Sequence, residues 1–212
     1  FYVLLYSNSE FNNKKSMRKI KVSLCDLAND LNGIDNKSIP IGVGYICAYC
    51  KKIHGDSIDI KVFRTFKQFW EDAIKQPPDI VGFGSYYWNY VLTLSTIEKL
   101  KELNKETLVV FGGANAEINM EDNKIFLKKY PNIDYIVYGD GEKPFSNIIE
   151  NYKRLGLCKE WRSKLKSIPI NGCRTLLGDK FIHGEPNDPV MDLMEIPSPY
   201  LTGVFDELLK DP

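Results

Sequence analysis

Two stretches of this chain carry almost no polar side chain: Asp79-Ile80-Val81-Gly82-Phe83-Gly84 and Thr107-Leu108-Val109-Val110-Phe111. A strand that is apolar on both faces has to be covered on both, and parallel sheets flanked by helices provide that cover. Three more runs suit the same sheet: 19–25, 58–63 and 133–138. Amphipathic stretches alternate with them. One opens at Pro40, with Ile39, Val43, Ile46, Cys47 and Cys50 as its apolar stripe. Others cover 66–74, then 89–103 with Val91, Leu94, Ile97, Leu100 and Leu103 facing the core, then 118–129 and 144–152. The alternation predicts an α/β fold: a doubly wound, Rossmann-like or flavodoxin-like, five-stranded parallel sheet with helices on both faces.

Beyond residue 156 the pattern changes. Residues 159–167 are charged, 170–183 read as a hairpin turning at Leu177-Gly178-Asp179-Lys180, and Pro186, Pro189, Pro197 and Pro199 punctuate an extended stretch. The expected division is an N-terminal extension over 1–16, the α/β domain over 17–156, and a hairpin and surface linker over 157–212 that leads to a domain not contained in this sequence. Met17 is a candidate native start. The 28 basic and 28 acidic side chains cancel, so the chain lacks the basic footprint of a nucleic-acid binder. No apolar run approaches the roughly 20 residues of a membrane span, and FYVLLY is too short for a signal peptide. A cytoplasmic location is expected.

In open parallel sheets, ligands bind beyond the C-terminal ends of the strands, where strand order reverses. The candidate site residues are therefore those that follow the strands. They are Ser85, Tyr86, Tyr87, Trp88 and Asn89 after the third, Gly112, Gly113, Ala114 and Asn115 after the fourth, and Gly139, Asp140, Gly141 and Glu142 after the fifth. Asp26 and the polar loop to Ser38 follow the first. Glycines admit a ligand close to the backbone, hydroxyl and amide groups orient it, and three adjacent aromatics offer flat surface. The plainer reading is tight glycine turns and an aromatic cluster packed on a neighbouring loop. Asp140 and Glu142 also suit the N-terminus of a helix.

Catalytic arrangements are missing from the sequence. His54 and His183 fall away from the predicted edge, and neither a nucleophile elbow nor a phosphate-binding Walker loop is present. The G-x-G at Gly82 and at Gly139 lacks the third glycine of a dinucleotide fingerprint. Cys47 and Cys50 form C-x-x-C within a helical stretch. Two small buried residues explain the pair better than half a zinc site, because no second pair exists among the five cysteines.

Several segments together resemble the N-terminal cobalamin-binding domain of class B radical S-adenosylmethionine (SAM) enzymes. They are Pro-Ile-Gly-Val-Gly-Tyr-Ile at Pro40, Pro-Asp-Ile-Val-Gly-Phe-Gly-Ser at Pro78, Tyr-Trp-Asn at Tyr87, Val-Phe-Gly-Gly at Val110, Asp-Tyr-Ile-Val-Tyr-Gly-Asp-Gly-Glu at Asp134, and Ile-Pro-Ser-Pro-Tyr-Leu-Thr-Gly at Ile196. The resemblance runs from about Lys19 to the C-terminus. It implies that Ser85, Gly112 and Gly113 line a slot for the nucleotide tail of cobalamin, that Gly139–Glu142 borders it, and that Tyr86, Tyr87 and Trp88 lie near the corrin or its tail. Two departures matter. The Asp-x-His-x-x-Gly motif of many cobalamin domains has no histidine here between Asp26 and Ser38, which implies base-off binding without a histidine cobalt ligand. The C-x-x-x-C-x-x-C run that holds the iron–sulfur cluster of radical SAM enzymes is absent from this sequence. SAM and a 4Fe-4S cluster are thus expected only in the following radical SAM domain, and whether this chain alone is an enzyme stays open. Methyl transfer is the implied reaction of the whole protein. The alternatives are a degenerate docking or substrate-recognition module that binds no corrin, and a nucleotide-binding transferase on the same fold.

Overall fold

A computed structural model describes residues 18–28, 38–116, 119–156, 158–188 and 192–210. The expected extension 1–16 and most of the loop after Asp26 lie outside them. In chain order the elements are β1 Ile20–Ala28, α1 Ile41–His54, β2 Ile58–Thr65, α2 Phe66–Lys75, β3 Ile80–Gly84, α3 Tyr90–Leu103, β4 Leu108–Gly112, α4 Met120–Lys129, β5 Tyr135–Val137, α5 Glu142–Leu155, α6 Trp161–Lys166, β6 Cys173–Leu177, β7 Lys180–His183 and α7 Asp206–Leu209. Strand order is β2-β1-β3-β4-β5-β6-β7. The first five strands are parallel, as the apolar runs predict. The order reverses between β1 and β3, which makes that gap the switch point.

Each face of the sheet has its own core. Val22, Leu24, Leu108 and Val110 meet Val43, Cys47 and Cys50 of α1 and Phe145, Ile148 and Ile149 of α5. On the other face Cys25, Val81, Phe83, Val109 and Phe111 meet Phe69 of α2, Ile97 and Leu100 of α3 and Leu127 of α4. Alternate residues of one strand serve opposite cores, which is why β3 and β4 tolerate no polar face. Local chemistry sets the helix starts: the Thr65 hydroxyl accepts from Gln68 N at 3.2 Å, and Asn119 Oδ1 accepts from Glu121 N at 2.9 Å. Among the described residues no helix is long and apolar enough to cross a membrane.

The structure departs from the sequence reading in four places. The hairpin does not stand apart: β6 pairs antiparallel with β5, Tyr135 opposite Thr175, so the sheet has seven strands. The charged stretch 159–167 contains α6, because Leu165 is buried, Trp161 packs edge-on against Tyr152 and Arg162 reaches Asp134. On α3 the stripe is rotated. Thr93 and Thr96 are buried with Ile97 and Leu100, while Val91 is 74% exposed and Leu103 is also exposed. The Thr96 hydroxyl donates to Leu92 O at 2.7 Å, which removes the cost of turning it inward. Finally, the stretch expected to be a surface linker turns back at 192–210 and buries Phe205 and Leu208 against α1 and β2.

Candidate functional site

A groove of about 220 Å³ opens at the C-terminal edge, between the sheet and the helices of its first face. Its floor is Leu24 of β1, Gly82 to Gly84 of β3, Val110 and Gly112 of β4, and Val137 of β5. Its roof is Gly42, Val43 and Ile46 of α1 with Phe145 of α5. Tyr86, Gly113, Gly139, Asp140, Gly141 and Glu142 form the rim. The groove thus spans the switch point, and a helix-borne apolar wall faces strands that carry glycine at positions 82, 84 and 112. A Cβ on Gly84 would come within 3.4 Å of Val43, so even one methyl group there narrows the opening.

The predicted residues divide among three roles. Tyr86, Gly112, Gly113 and the run Gly139 to Glu142 line the groove. Ser85 and Asn89 are buried and hold the loops instead. Ser85 N donates to Gly112 O at 2.7 Å, and Ser85 O accepts from Asn115 N at 3.1 Å. A Cβ on Gly113 would sit 2.7 Å from Ser85 O, and its φ of +91° also favours glycine, so the β3 and β4 loops cross here only because that side chain is missing. Asn89 Oδ1 accepts from Tyr86 N at 2.8 Å, while its Nδ2 donates to Gly84 O and to Asp26 Oδ1, both at 3.1 Å. Tyr87, Trp88 and Asn115 face a separate groove of about 770 Å³ between α3 and α4. Tyr87 is 92% and Trp88 61% exposed, and the Trp88 ring stacks on Tyr86 at 4.8 Å. Ala114 is exposed and lines neither groove.

Sequence reasoning left the roof out of the site. Gly42, Val43 and Ile46 precede the loops by 40 to 100 residues, and nothing in their local pattern separates groove wall from ordinary core. The Pro40 segment, counted as an amphipathic helix and as part of the resemblance but not as part of the site, was the available signal. Asp26 was noted as a loop residue but carries more: burial lifts its carboxyl from 3.8 to about 6, with the Asn89 hydrogen bond opposing. Burial, then the Asp26 charge, raise the Tyr86 hydroxyl. Burial also lifts Glu142, against its own N–H and that of Gly141, which donate to it.

The remaining candidates lie elsewhere. Cys47 and Cys50 are buried on α1, where burial pushes the Cys47 thiol up to about 11 and raises Cys50 as well; both are core residues. His54, at the far end of α1 from the groove, bonds Ser146 Oγ through Nε2 at 2.9 Å. His183 lies on β7 at the sheet's edge. Among the described residues no group of three or more His, Cys, Asp or Glu is arranged to hold a metal ion.

A family model described as "B12 binding domain" matches residues 31–149, more than half of the chain. The chain is 28% identical over 129 residues to 2-(S-pantetheinyl)-carbapenam-3-carboxylate methyltransferase of Streptantibioticus cattleyicolor. It is 26% identical over 129 residues to the cobalamin-dependent radical SAM methyltransferase TokK of Streptomyces tokunonensis. Each match covers 61% of this chain and 17% of the relative, so the chain spans about a sixth of the length of these curated proteins. The cobalamin-dependent SAM radical enzyme OxsB, solved with aqua-cobalamin and SAM bound, superposes with a TM-score of 0.64 at 16% identity. That likeness covers 89% of this chain and 25% of OxsB, and it is a likeness of fold.

Proposed function

The chain belongs to the B12-binding domain family, and from that membership we propose that the groove at the switch point holds cobalamin, its nucleotide tail lying between the sheet edge and α1. One observation carries the reading. Gly84 and Gly112 face Gly42 and Val43 across a slot with apolar walls, a shape that suits a flat heterocycle and offers no described lysine or arginine to a polyphosphate. Residues 17–156 form the cofactor domain in this reading. Leu24, Val43, Ile46 and Phe145 exclude water from the tail, and the N–H groups and carboxyls of Gly139 to Glu142 border its entrance. Cobalamin, when bound, supplies the cobalt centre that carries a methyl group; the protein supplies position and electrostatics. A tail held in the groove is detached from cobalt, so cobalamin is bound base-off, and both histidines of the chain are remote from the groove and leave cobalt without a histidine ligand.

The relatives' names support placing this domain in a radical SAM methyltransferase, with residues 157–212 leading toward the radical SAM domain; a cytoplasmic location is part of this reading and rests on the sequence alone. SAM and a 4Fe-4S cluster belong to that domain, since none of the five cysteines here forms its binding run. A second reading, a docking or substrate-recognition module without corrin, draws on the exposed Tyr87, Trp88 and Val91 beside the same edge.

Titration with hydroxocobalamin and methylcobalamin, followed by desalting and visible spectra, separates the two. The cofactor reading expects retained pigment with a base-off spectrum. It also expects Gly84→Leu, which fills the slot, to weaken retention about tenfold, the usual scale of an overpacked site. Colourless wild-type protein after desalting would favour the docking module.

A further inference from the structure

Residues 192–210 strap the groove's helical wall from outside. The Glu195 carbonyl accepts from Lys52 Nζ of α1 at 2.8 Å, and its carboxylate pairs with Lys143 Nζ of α5 at 3.6 Å. The chain then turns, with Thr202 N donating to Ser198 O and Val204 N to Pro199 O. That turn delivers Phe205, fully buried, to α1. Its ring occupies the space that a Cβ on Gly44 would need, and Tyr200 packs edge-on against it at 5.1 Å.

Gly44 shares its helical turn with the groove's roof. At 3.6 residues per turn it points roughly 150° away from the mean direction of Gly42, Val43 and Ile46. The start of α1 has little local support: Pro40 gives no side-chain cap, the first turn holds no acidic residue, and two glycines weaken the helix. Its position must come from tertiary contacts. Ligand and strap therefore load the same few residues from different sides.

We propose that Phe205 is a positioning residue for the cofactor: seated at Gly44, it holds the first turns of α1 at the spacing from the sheet that the groove requires. The inference rests on the cobalamin reading of the groove. Linkage makes the effect reciprocal, so a bound ligand stabilises the seated strap by the factor by which the strap strengthens binding.

The test compares Phe205→Leu, Phe205→Ala, Gly44→Ala and the double variant Phe205→Ala/Gly44→Ala in the whole chain. Amide hydrogen exchange at Val43 to Ile46 is measured without ligand, and hydroxocobalamin affinity is measured separately on protein shown to be folded by circular dichroism. Phe205→Ala should exchange faster at those amides and bind about tenfold more weakly, a common size for such coupling. Phe205→Leu should recover most of both. Gly44→Ala alone should resemble Phe205→Ala, because its methyl group expels the ring. In the double variant that methyl group meets no ring and favours the helix, so the pair should be no worse than Phe205→Ala. Additive losses, or folded Phe205→Ala with unchanged exchange and affinity, would overturn the proposal. A wild-type chain that takes up no cobalamin overturns the reading of the groove, and the exchange experiment then decides by itself whether Phe205 holds α1.

Discussion

At the N-terminal edge of the sheet, the buried Asp134 carboxylate meets Arg162 at 2.6 Å, Lys101 at 3.2 Å and Lys166 at 3.8 Å, and accepts from Val109 N at 2.9 Å. At the C-terminal edge, Asp26, Asp140 and Glu142 gather at or beside a groove that no described lysine or arginine lines. The same residue type therefore behaves in opposite ways. Burial would lift Asp134, but the three cations outweigh it and hold the carboxyl below its usual range. Among the described residues Asp26 has only an amide for a partner, and burial carries it to about 6. One edge neutralises its charges internally and serves stability. The other buries the Asp26 and Glu142 carboxyls without a salt bridge to a described residue, and burial raises both, as it does in binding sites.

Removing the Asp134 charge should give the largest effect. Asp134→Asn strands Lys101, Arg162 and Lys166 around a neutral amide, and breaking a buried ion pair this way costs about 3–5 kcal/mol. Burial already pulls Lys101 and Lys166 below the usual lysine range, with Asp134 opposing. The folded-state pKa of Asp134 is depressed. Its contribution is therefore fully present above the unfolded value of about 3.9 and is lost as pH falls through the folded value. Urea unfolding should show a wide gap between wild type and variant at pH 7 that narrows in acid. A gap that stays constant down to pH 3 would mean that the cluster acts by packing and not by charge.

Asp26 should give a smaller effect of opposite sign. Its folded-state pKa is raised, so folding favours the protonated form. The benefit is present below pH 3.8 and is lost as pH rises to about 6, leaving an ionised group that costs up to about 2–3 kcal/mol at pH 8. Asp26→Asn keeps an acceptor for Asn89 and removes the charge. It should stabilise the chain by up to about 2 kcal/mol at pH 8 and by almost nothing at pH 4. Destabilisation across the whole range would place Asp26 with Asp134 and remove the contrast between the edges.

The legibility of the fold follows the same division. β3 and β4 were readable because five consecutive apolar residues admit few other interpretations, and the rim was readable because glycines end or follow β3, β4 and β5. What stayed hidden depends on partners distant in sequence. Thr175 pairs with Tyr135 across 40 residues, Arg162 finds Asp134, and nothing in the run 200–209 singles out Phe205 from its apolar neighbours until Gly44 makes room for it. Ser85 and Asn89 were placed on the correct loops as ligand contacts, and in the structure they also hold those loops together. Hydrogen-bonding residues beside a binding edge either touch the ligand or hold the loop that does, and composition alone does not separate these. Asn89 holds its loop through side-chain bonds to Gly84 O and Asp26, and Ser85 through its backbone N–H to Gly112 O.

The smallest expected effect lies where the edge meets solvent. Trp88 is largely exposed, yet it stacks parallel on Tyr86, whose other surroundings are the groove. An aromatic pair contributes about 0.5–1.5 kcal/mol, and exposure puts this one near the lower figure. Trp88→Ala should therefore shift the urea midpoint only slightly. Because the stack orients Tyr86 at the rim, the same variant should weaken cobalamin retention about twofold, the equivalent of that lower figure. Tyr87→Ala serves as the control, since Tyr87 is 92% exposed and lies outside the first groove; it should leave both measurements unchanged. If Tyr87→Ala weakens binding as much as Trp88→Ala, the aromatic lip contacts the ligand directly, and the binding edge extends from the first groove across β3 to the second.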